Sequence, residues 1–266
     1  MATGYLEKDR YICSWLKELV SSGRIEFGTV ACQDIRKVEA NDPLLECDRL
    51  HLFAGIGGWA LALDWAGYTG PAWTLSCPCQ PFSRAGTKKG TDDDRHLWPE
   101  ALRLISERRP PVLFGEQVGG RGGREWLAGV LPDLEASGYR ACAADLPAAG
   151  VGAPQLRSRL WFAAFAVGHP VGGLREQLDF SRVPRDGIEA NGVCTSPPDW
   201  ADAQTRTVEN GLSRRFPPGL PMLVDGVPNR LARTRTGIGN SLVPSLAALF
   251  VRQSLLALED TQKDWS

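Results

Sequence analysis

The sequence predicts an α/β protein built on a doubly wound parallel sheet, with an irregular insert late in the chain. Three observations lead there. Short apolar runs alternate with segments of helical period over most of the chain. One such run, Leu50 to Phe53, ends in the glycine turn Phe53-Ala54-Gly55-Ile56-Gly57-Gly58 and passes straight into a helix, which is how such a sheet opens. From about Gly168 to Pro228 the helical period fades and Pro and Gly recur.

The elements follow in order. Ile12, Trp15, Leu16, Leu19 and Val20 recur at spacings of three and four, predicting an amphipathic helix from about Asp9 to Ser22. Gly23 and Gly28 end it. Trp59 to Ala66 is the helix after the glycine turn. Trp73 to Ser76 is a second buried strand, running into Ser76-Cys77-Pro78-Cys79-Gln80-Pro81-Phe82-Ser83. Arg84 to Arg95, rich in glycine and charge, reads as a mobile loop. Leu97 to Glu107 is helical and is stopped by Pro110 and Pro111. Val112 to Phe114 is a third strand, ending at Glu116. Trp126 to Ser137 is a helix, Arg140 to Asp145 a strand, and Gln155 to Phe165 a loop entering a strand. Pro244 to Leu258 is an apolar helix that packs back on the sheet.

Composition bounds the class. At 266 residues, 43% hydrophobic and 23% charged, the chain fits one large globular domain with an insert. No apolar stretch reaches the roughly 20 residues of a membrane span, and the polar start, Met1 to Arg10, does not read as a secretion signal. Seven cysteines without metal-type spacing point to reduced thiols, a cytoplasmic setting and no metal site. The net charge of −1 leaves a basic face, but no basic excess, as a route to nucleic acid.

Several residues carry chemistry. The glycine turn presents backbone N–H groups at a helix start, where a nucleotide cofactor can approach; a tight turn without a ligand is the alternative. Cys79 stands as a candidate nucleophile beside it, against the commoner role of a small buried apolar residue. Glu116 is either a functional acid or a strand-end carboxylate in a salt bridge. The 168–228 segment carries Arg175, Arg182, Arg185, Arg206, Arg214 and Arg215 and no Lys. Arginine suits phosphate forks and guanine edges; a solvated loop is the other reading.

Taken in order, five segments resemble the cytosine-C5 DNA methyltransferases, especially their compact phage and prophage members. They are Phe53-Ala54-Gly55-Ile56-Gly57-Gly58, Pro78-Cys79-Gln80-Pro81-Phe82-Ser83, Gly115-Glu116-Gln117-Val118, Gln155-Leu156-Arg157-Ser158-Arg159 and Gly239-Asn240-Ser241-Leu242-Val243-Pro244. Asp94-Arg95 with Leu97-Trp98 is similar to the family's passage from loop to helix. The resemblance implies a Rossmann-like S-adenosylmethionine-dependent methyltransferase sheet with a target-recognition insert. It implies Cys79 as nucleophile at cytosine C6, Glu116 as the acid at N3, Arg159 at O2, and Arg157 as support for the loop or a phosphate. The cofactor would rest on Phe53, Ala54, Gly55, Ile56, Gly57 and Gly58, with Pro78, Asn240, Ser241 and Leu242 completing the site. Double-stranded DNA is the implied partner, its cytosine flipped out under the Gln80 to Arg95 lid. A monomer is expected, in the cytoplasm of a bacterium or phage-infected host. The implied boundaries are 1–167 and 229–266 for the catalytic domain and 168–228 for the insert. The recognition sequence and any restriction endonuclease partner stay open.

Three departures stand out. Gln117 replaces the family's Asn, placing a longer amide where the nucleophile loop is braced. Ser241-Leu242 is a mild variant of Ser-Val. The largest is a gap: about twenty residues separate Gly58 from Cys79, room for one helical crossover. The two further strands that the family places there, with acids for ribose and adenine, are absent. Upstream, Thr29 to Val38 is similar to the family's adenine-side segment, so residues 1–48 are expected to complete a locally permuted pocket. Asp34 would then lie near the adenine amino group and Ile35 against its ring; Asp34 as a plain turn cap is the alternative. The leading function is therefore methyl transfer from S-adenosylmethionine to cytosine C5. The competing readings are a catalytically weak DNA-binding relative and an enzyme taking a modified S-adenosylmethionine.

Overall fold

The computed structural model describes residues 1–78, 97–151, 157–169, 177–179, 204–207, 213–216 and 242–263. Cys79, Asn240, Ser241, the 84–95 loop, Gln155, Leu156 and most of the 168–228 segment lie outside the described residues.

The strands are β1 (Thr3–Glu7), β2 (Thr29–Cys32), β3 (Arg49–Leu52), β4 (Ala72–Leu75), β5 (Val112–Val118), β6 (Tyr139–Pro147) and β7 (Ser158–Ala166). The helices are α1 (Arg10–Ser21), α2 (Gly58–Ala66), α3 (Trp98–Arg108), α4 (Arg121–Ala136) and α5 (Pro244–Lys263). The strands form one sheet in the order β2-β1-β3-β4-β5-β7-β6. The first five positions are parallel. β7 runs antiparallel to both its neighbours, so the expected parallel sheet is a mixed one. Only residues 148–157, including one 3-10 turn (Ala148–Val151), connect β6 to β7. That is too short for a helical crossover, so the chain has to double back. Two more strands, β8 (Gln204–Thr207) and β9 (Ser213–Phe216), pair antiparallel in a separate hairpin within the expected insert.

The gap after the glycine turn is answered by β1, a strand in the polar N-terminal stretch that sequence patterning does not reveal. β1 pairs with β3, and β2 pairs outside β1. The α1 helix that joins them starts where Asp9 Oδ1 accepts hydrogen bonds from Tyr11 N (2.8 Å) and Ile12 N (3.2 Å). Its Ile12, Leu16 and Val20 stripe packs with Tyr5, Ala54 and Ala60. A row of side chains fixes the register across three strands. Tyr5 stacks on His51 with ring centroids 4.9 Å apart, and His51 Nδ1 shares a hydrogen bond with Thr74 Oγ1 at 2.7 Å.

The sheet separates two apolar layers. Leu160, Phe162 and Ala164 of β7 lie with α3 and α4, through Trp98, Leu104, Trp126 and Val130. The alternating Trp161, Ala163 and Phe165 lie with α2 and α5, through Trp59, Leu63, Ala247 and Val251. Leu178, inside the range expected for the insert, is buried in this second layer, and Asp179 N donates to Gly67 O at 2.6 Å. The core thus reaches past residue 168. Among the described residues no helix is long and apolar enough to cross a membrane.

His51 carries an acid-stability consequence. Burial, aided by the Arg49 charge, lowers its pKa to about 3, so the folded ring is neutral. Below the unfolded value near 6.5, the unfolded chain takes up a proton that the folded ring does not. This stability is full above pH 6.5 and is lost as pH falls toward 3, amounting to about 3 kcal/mol at pH 4. His51→Gln should flatten the fall in Tm between pH 6.5 and 4 in thermal melts; a slope equal to the wild type's would show that His51 does not cause it.

Candidate functional site

The carboxyl ends of the parallel strands gather at one edge of the sheet, where ligands of open α/β sheets bind. At the end of β3 the chain makes the glycine turn. Ala54 is buried and its N–H donates to Leu6 O (3.0 Å), tying the turn to β1. Phe53, at φ 54°, takes a left-handed conformation unusual for a bulky residue, as Gly55 and Gly57 do. The glycines serve different ends. A Cβ on Gly58 would lie 3.1 Å from the Leu242 side chain, and one on Gly57 3.2 Å from Ile25. Among the described residues, a Cβ on Gly55 would meet nothing nearer than 3.9 Å, which leaves room there for a ligand. Ile56 packs on the α1 side of the turn.

Glu7 ends β1 directly beside this turn. Its Oε2 accepts from Gly55 N at 3.1 Å, and its Oε1 accepts from Lys8 N (2.9 Å) and Asp9 N (3.0 Å). A carboxylate is thus held at the open glycine. Sequence reasoning missed it; the short apolar run Tyr5-Leu6 before an acid and a helix-capping Asp9 was the available signal. Asp34 follows β2, which Gln33 N ties back to Glu7 O (3.0 Å). Asp34 caps the 3-10 turn Ile35–Lys37 and is gripped by Arg36, whose Nε and Nη2 lie 2.9 and 2.6 Å from its oxygens. Those bonds hold its carboxyl down at about 2. The capping reading of Asp34 is therefore met, with the carboxylate at the same strand edge as Glu7. Ile35 is buried in the core with Leu6, Leu50 and Leu52. Nucleotide features fit this edge: an open glycine for close approach and fixed carboxylates for hydroxyl and amino groups.

A second group lies at the ends of β4, β5 and β7. Glu116 points to the α2 side of β5 and is 5% exposed. Arg159 Nε stands 2.7 Å from Glu116 Oε1, an ion pair that also meets the salt-bridge expectation for this acid. The N–H is not aimed along the contact, so within the described residues neither atom completes an aligned hydrogen bond. Arg159 Nη1 donates to Ser158 O at 3.0 Å. Ser76, three residues before Cys79, bonds the Glu116 carboxyl and accepts from Trp59 Nε1 at 3.1 Å. Burial pushes the Glu116 pKa up, opposed by the Arg159 and Arg157 charges. Arg157, half-buried, is pushed down by burial and by Arg159. The result is a carboxyl that holds a proton closer to neutral pH than an exposed one, with two buried groups able to meet a further polar partner. Pro78, half-buried, leads to Cys79.

The neighbouring Gln117 faces the other side of β5. Its Nε2 donates to Cys77 O at 3.1 Å and its Oε1 accepts from Val118 N at 2.9 Å. The longer amide thus spans from β5 to the strand that carries the nucleophile segment. Gly115 lies flat beneath the Phe162 ring, where a Cβ would be 2.0 Å from a ring carbon. Gln117→Ala leaves the buried Cys77 carbonyl without this donor and should cost about 1–3 kcal/mol in denaturant unfolding. A midpoint matching the wild type's would mean the amide braces nothing.

The chain's residues 72–184 match the family described as C-5 cytosine-specific DNA methylase. It is 32% identical over 169 residues to the Type II methyltransferase M.AluI of Cellulosimicrobium cellulans, covering 58% of this chain and 31% of that one. It is 34% identical over 143 residues to M.NgoMIV of Neisseria gonorrhoeae, covering 53% and 43%. With M.MspI of Moraxella sp the identity is 34% over 171 residues, covering 62% and 38%. The chain thus spans less than half the length of these relatives. Residues 72–184, the stretch similar to the C-5 cytosine-specific DNA methylase family, hold Cys79, Glu116, Arg157 and Arg159.

Proposed function

We propose that this protein transfers a methyl group from S-adenosylmethionine to C5 of a cytosine in DNA. The observation that carries the reading is the buried Glu116, paired with Arg159 at 2.7 Å and bonded to Ser76 on the segment leading to Cys79. Cytosine C5 is a poor nucleophile until something adds to C6. The Cys79 thiolate forms a bond to C6, while Glu116 gives its proton to N3, so that the ring's electrons collect at C5. Arg159 supports the charge at O2 and Arg157 the surrounding loop. When bound, S-adenosylmethionine supplies an electrophilic methyl for C5. Return of the N3 proton to Glu116, with release of the C5 proton to solvent and of the Cys79 thiolate, then restores the ring, and the donor's remainder leaves as the neutral thioether S-adenosylhomocysteine.

The donor's place is the edge formed by β1, β2 and β3. Gly55 allows close approach, Glu7 would accept from ribose hydroxyls and Asp34 from the adenine amino group. Ile35 seats the turn that presents Asp34, and Pro78, Leu242, Asn240 and Ser241 close the site. The presence of Glu7 and Asp34 favours productive donor binding over a catalytically weak DNA-binding relative. Residues 1–167 and 229–266 form the catalytic part in this reading, and 168–228, with the β8–β9 hairpin and six arginines, reads the DNA target. The cytosine is flipped out of the duplex to reach the site. The protein works as a monomer in the cytoplasm.

Nucleoside mass spectrometry decides the reaction. Unmethylated duplex DNA incubated with the protein and S-adenosylmethionine should yield 5-methylcytosine, and Cys79→Ala should abolish it. Product formation undiminished in the variant would remove Cys79 as nucleophile, and no product from the wild type would remove the reaction. For the donor edge, Glu7→Gln and Asp34→Ala should each raise the S-adenosylmethionine Kd about tenfold or more in titration calorimetry. DNA affinity should hold; an unchanged cofactor Kd would place the donor elsewhere.

A further inference from the structure

Asp145 has no part in the chemistry above, yet it is tied to the residues that do. It lies near the end of β6, opposite Leu160 of β7. Its Oδ2 accepts from Arg124 Nη2 of α4 at 3.0 Å, and its Oδ1 accepts from the Ser158 hydroxyl. Those two partners hold its carboxyl below the usual range, so it stays ionised in ordinary buffers. Ser158 is the first residue of β7 and stands between Arg157 and Arg159. Side chains alternate along a strand, so the Ser158 hydroxyl lies on the α4 face and Arg159 on the opposite face with Trp161. The Ser158 carbonyl, meanwhile, accepts from Arg159 Nη1 at 3.0 Å. One residue is therefore pinned through its side chain on one face and holds the guanidinium facing Glu116 on the other.

We propose that Asp145, backed by Arg124, is a positioning residue that fixes the Ser158 peptide and so aims Arg159 at Glu116 and the cytosine. The placement rests on the methyl-transfer reading for its consequence in turnover, but the aim of Arg159 is a property of the protein alone. Without Asp145, Ser158 loses its anchor at the strand start and the guanidinium gains freedom about its contact with Glu116. Among the described residues, the groups facing Glu116 are Arg157, just before β7, Arg159 of β7 and Ser76, just after β4; those facing Asp145 are Arg124 and Ser158.

Three variants test this: Asp145→Ala, Ser158→Ala, and Asp145→Asn, which keeps an acceptor oxygen. Asp145→Ala and Ser158→Ala should lower kcat about 10- to 100-fold with little change in the KM for DNA, and Asp145→Asn should recover most of the loss. The alkaline limb of the rate profile, where Glu116 loses its proton, should move to higher pH as Arg159 no longer opposes the effect of burial. A structural weakening alone would lower the active fraction and leave the limb in place. Independently of turnover, the Arg159 Nε–Hε NMR signal, assigned by its loss in Arg159→Lys, should shift and broaden in both alanine variants. An unmoved signal with an unmoved limb overturns the proposal. A wild type that makes no 5-methylcytosine overturns the methyl-transfer reading, and the NMR signal then decides the positioning role alone. Should Asp145→Ala fail to fold, Ser158→Ala, which removes a single hydroxyl, supplies every readout.

Discussion

The link between β3 and β4 holds a single helix, α2 (Gly58–Ala66), and one helix is enough for one parallel crossover. That limit makes β3 and β4 neighbours and leaves the other side of β3 to be filled by chain from elsewhere. β1 and β2 fill it from upstream, joined by α1. The cofactor edge depends on this arrangement. Parallel pairing brings the carboxyl ends of β1, β2 and β3 to the same rim, so Glu7, the Asp34 turn and Gly55 meet there although the chain visits them in an unusual order. Tyr5, His51 and Thr74, in register across β1, β3 and β4, hold the relocated strand in place.

The group proposed for catalysis on the far side of β4 is held between opposing influences. A carboxyl buried against Trp59 and the strand ends favours its neutral form, because removing a charge from water is costly. Two arginines nearby favour the charged form. An acid that must hand over a proton and then carry charge benefits from both influences. Among the described residues the Glu116–Arg159 ion pair lacks an aligned hydrogen bond, so each group keeps hydrogen-bonding capacity.

Much of this was legible in the sequence. The α1 stripe, the glycine turn, the strand that holds Glu116 and the Arg157–Arg159 pair all follow from spacing or motif, although β5 runs on past Glu116 to Val118. The gap before Cys79 pointed upstream, and Asp34 was found there. β1 was not legible, because five residues with only Tyr5 and Leu6 as large apolar groups carry little pattern, and its burial comes from pairing with β3. The antiparallel course of β7 was hidden for another reason: periodicity tells which face a residue lies on and says nothing of strand direction. Gln117 shows the limit of motif comparison. Amide length alone left the brace open, and the answer came from how far Cys77 lies from β5. Leu178 marks a similar limit, since three residues of an irregular stretch give no periodic sign that they pack on α2.

Because β1 and β2 lie together upstream of β3, Glu7 and the Asp34 turn are encoded in one stretch, separate from the codons for Glu116 and Arg159. Exchange of that one stretch would replace Glu7 and Asp34 together and leave Glu116 and Arg159 unaltered. In the proposed reading, the acids that would hold the methyl donor are therefore separable in the gene from those that would act on the cytosine.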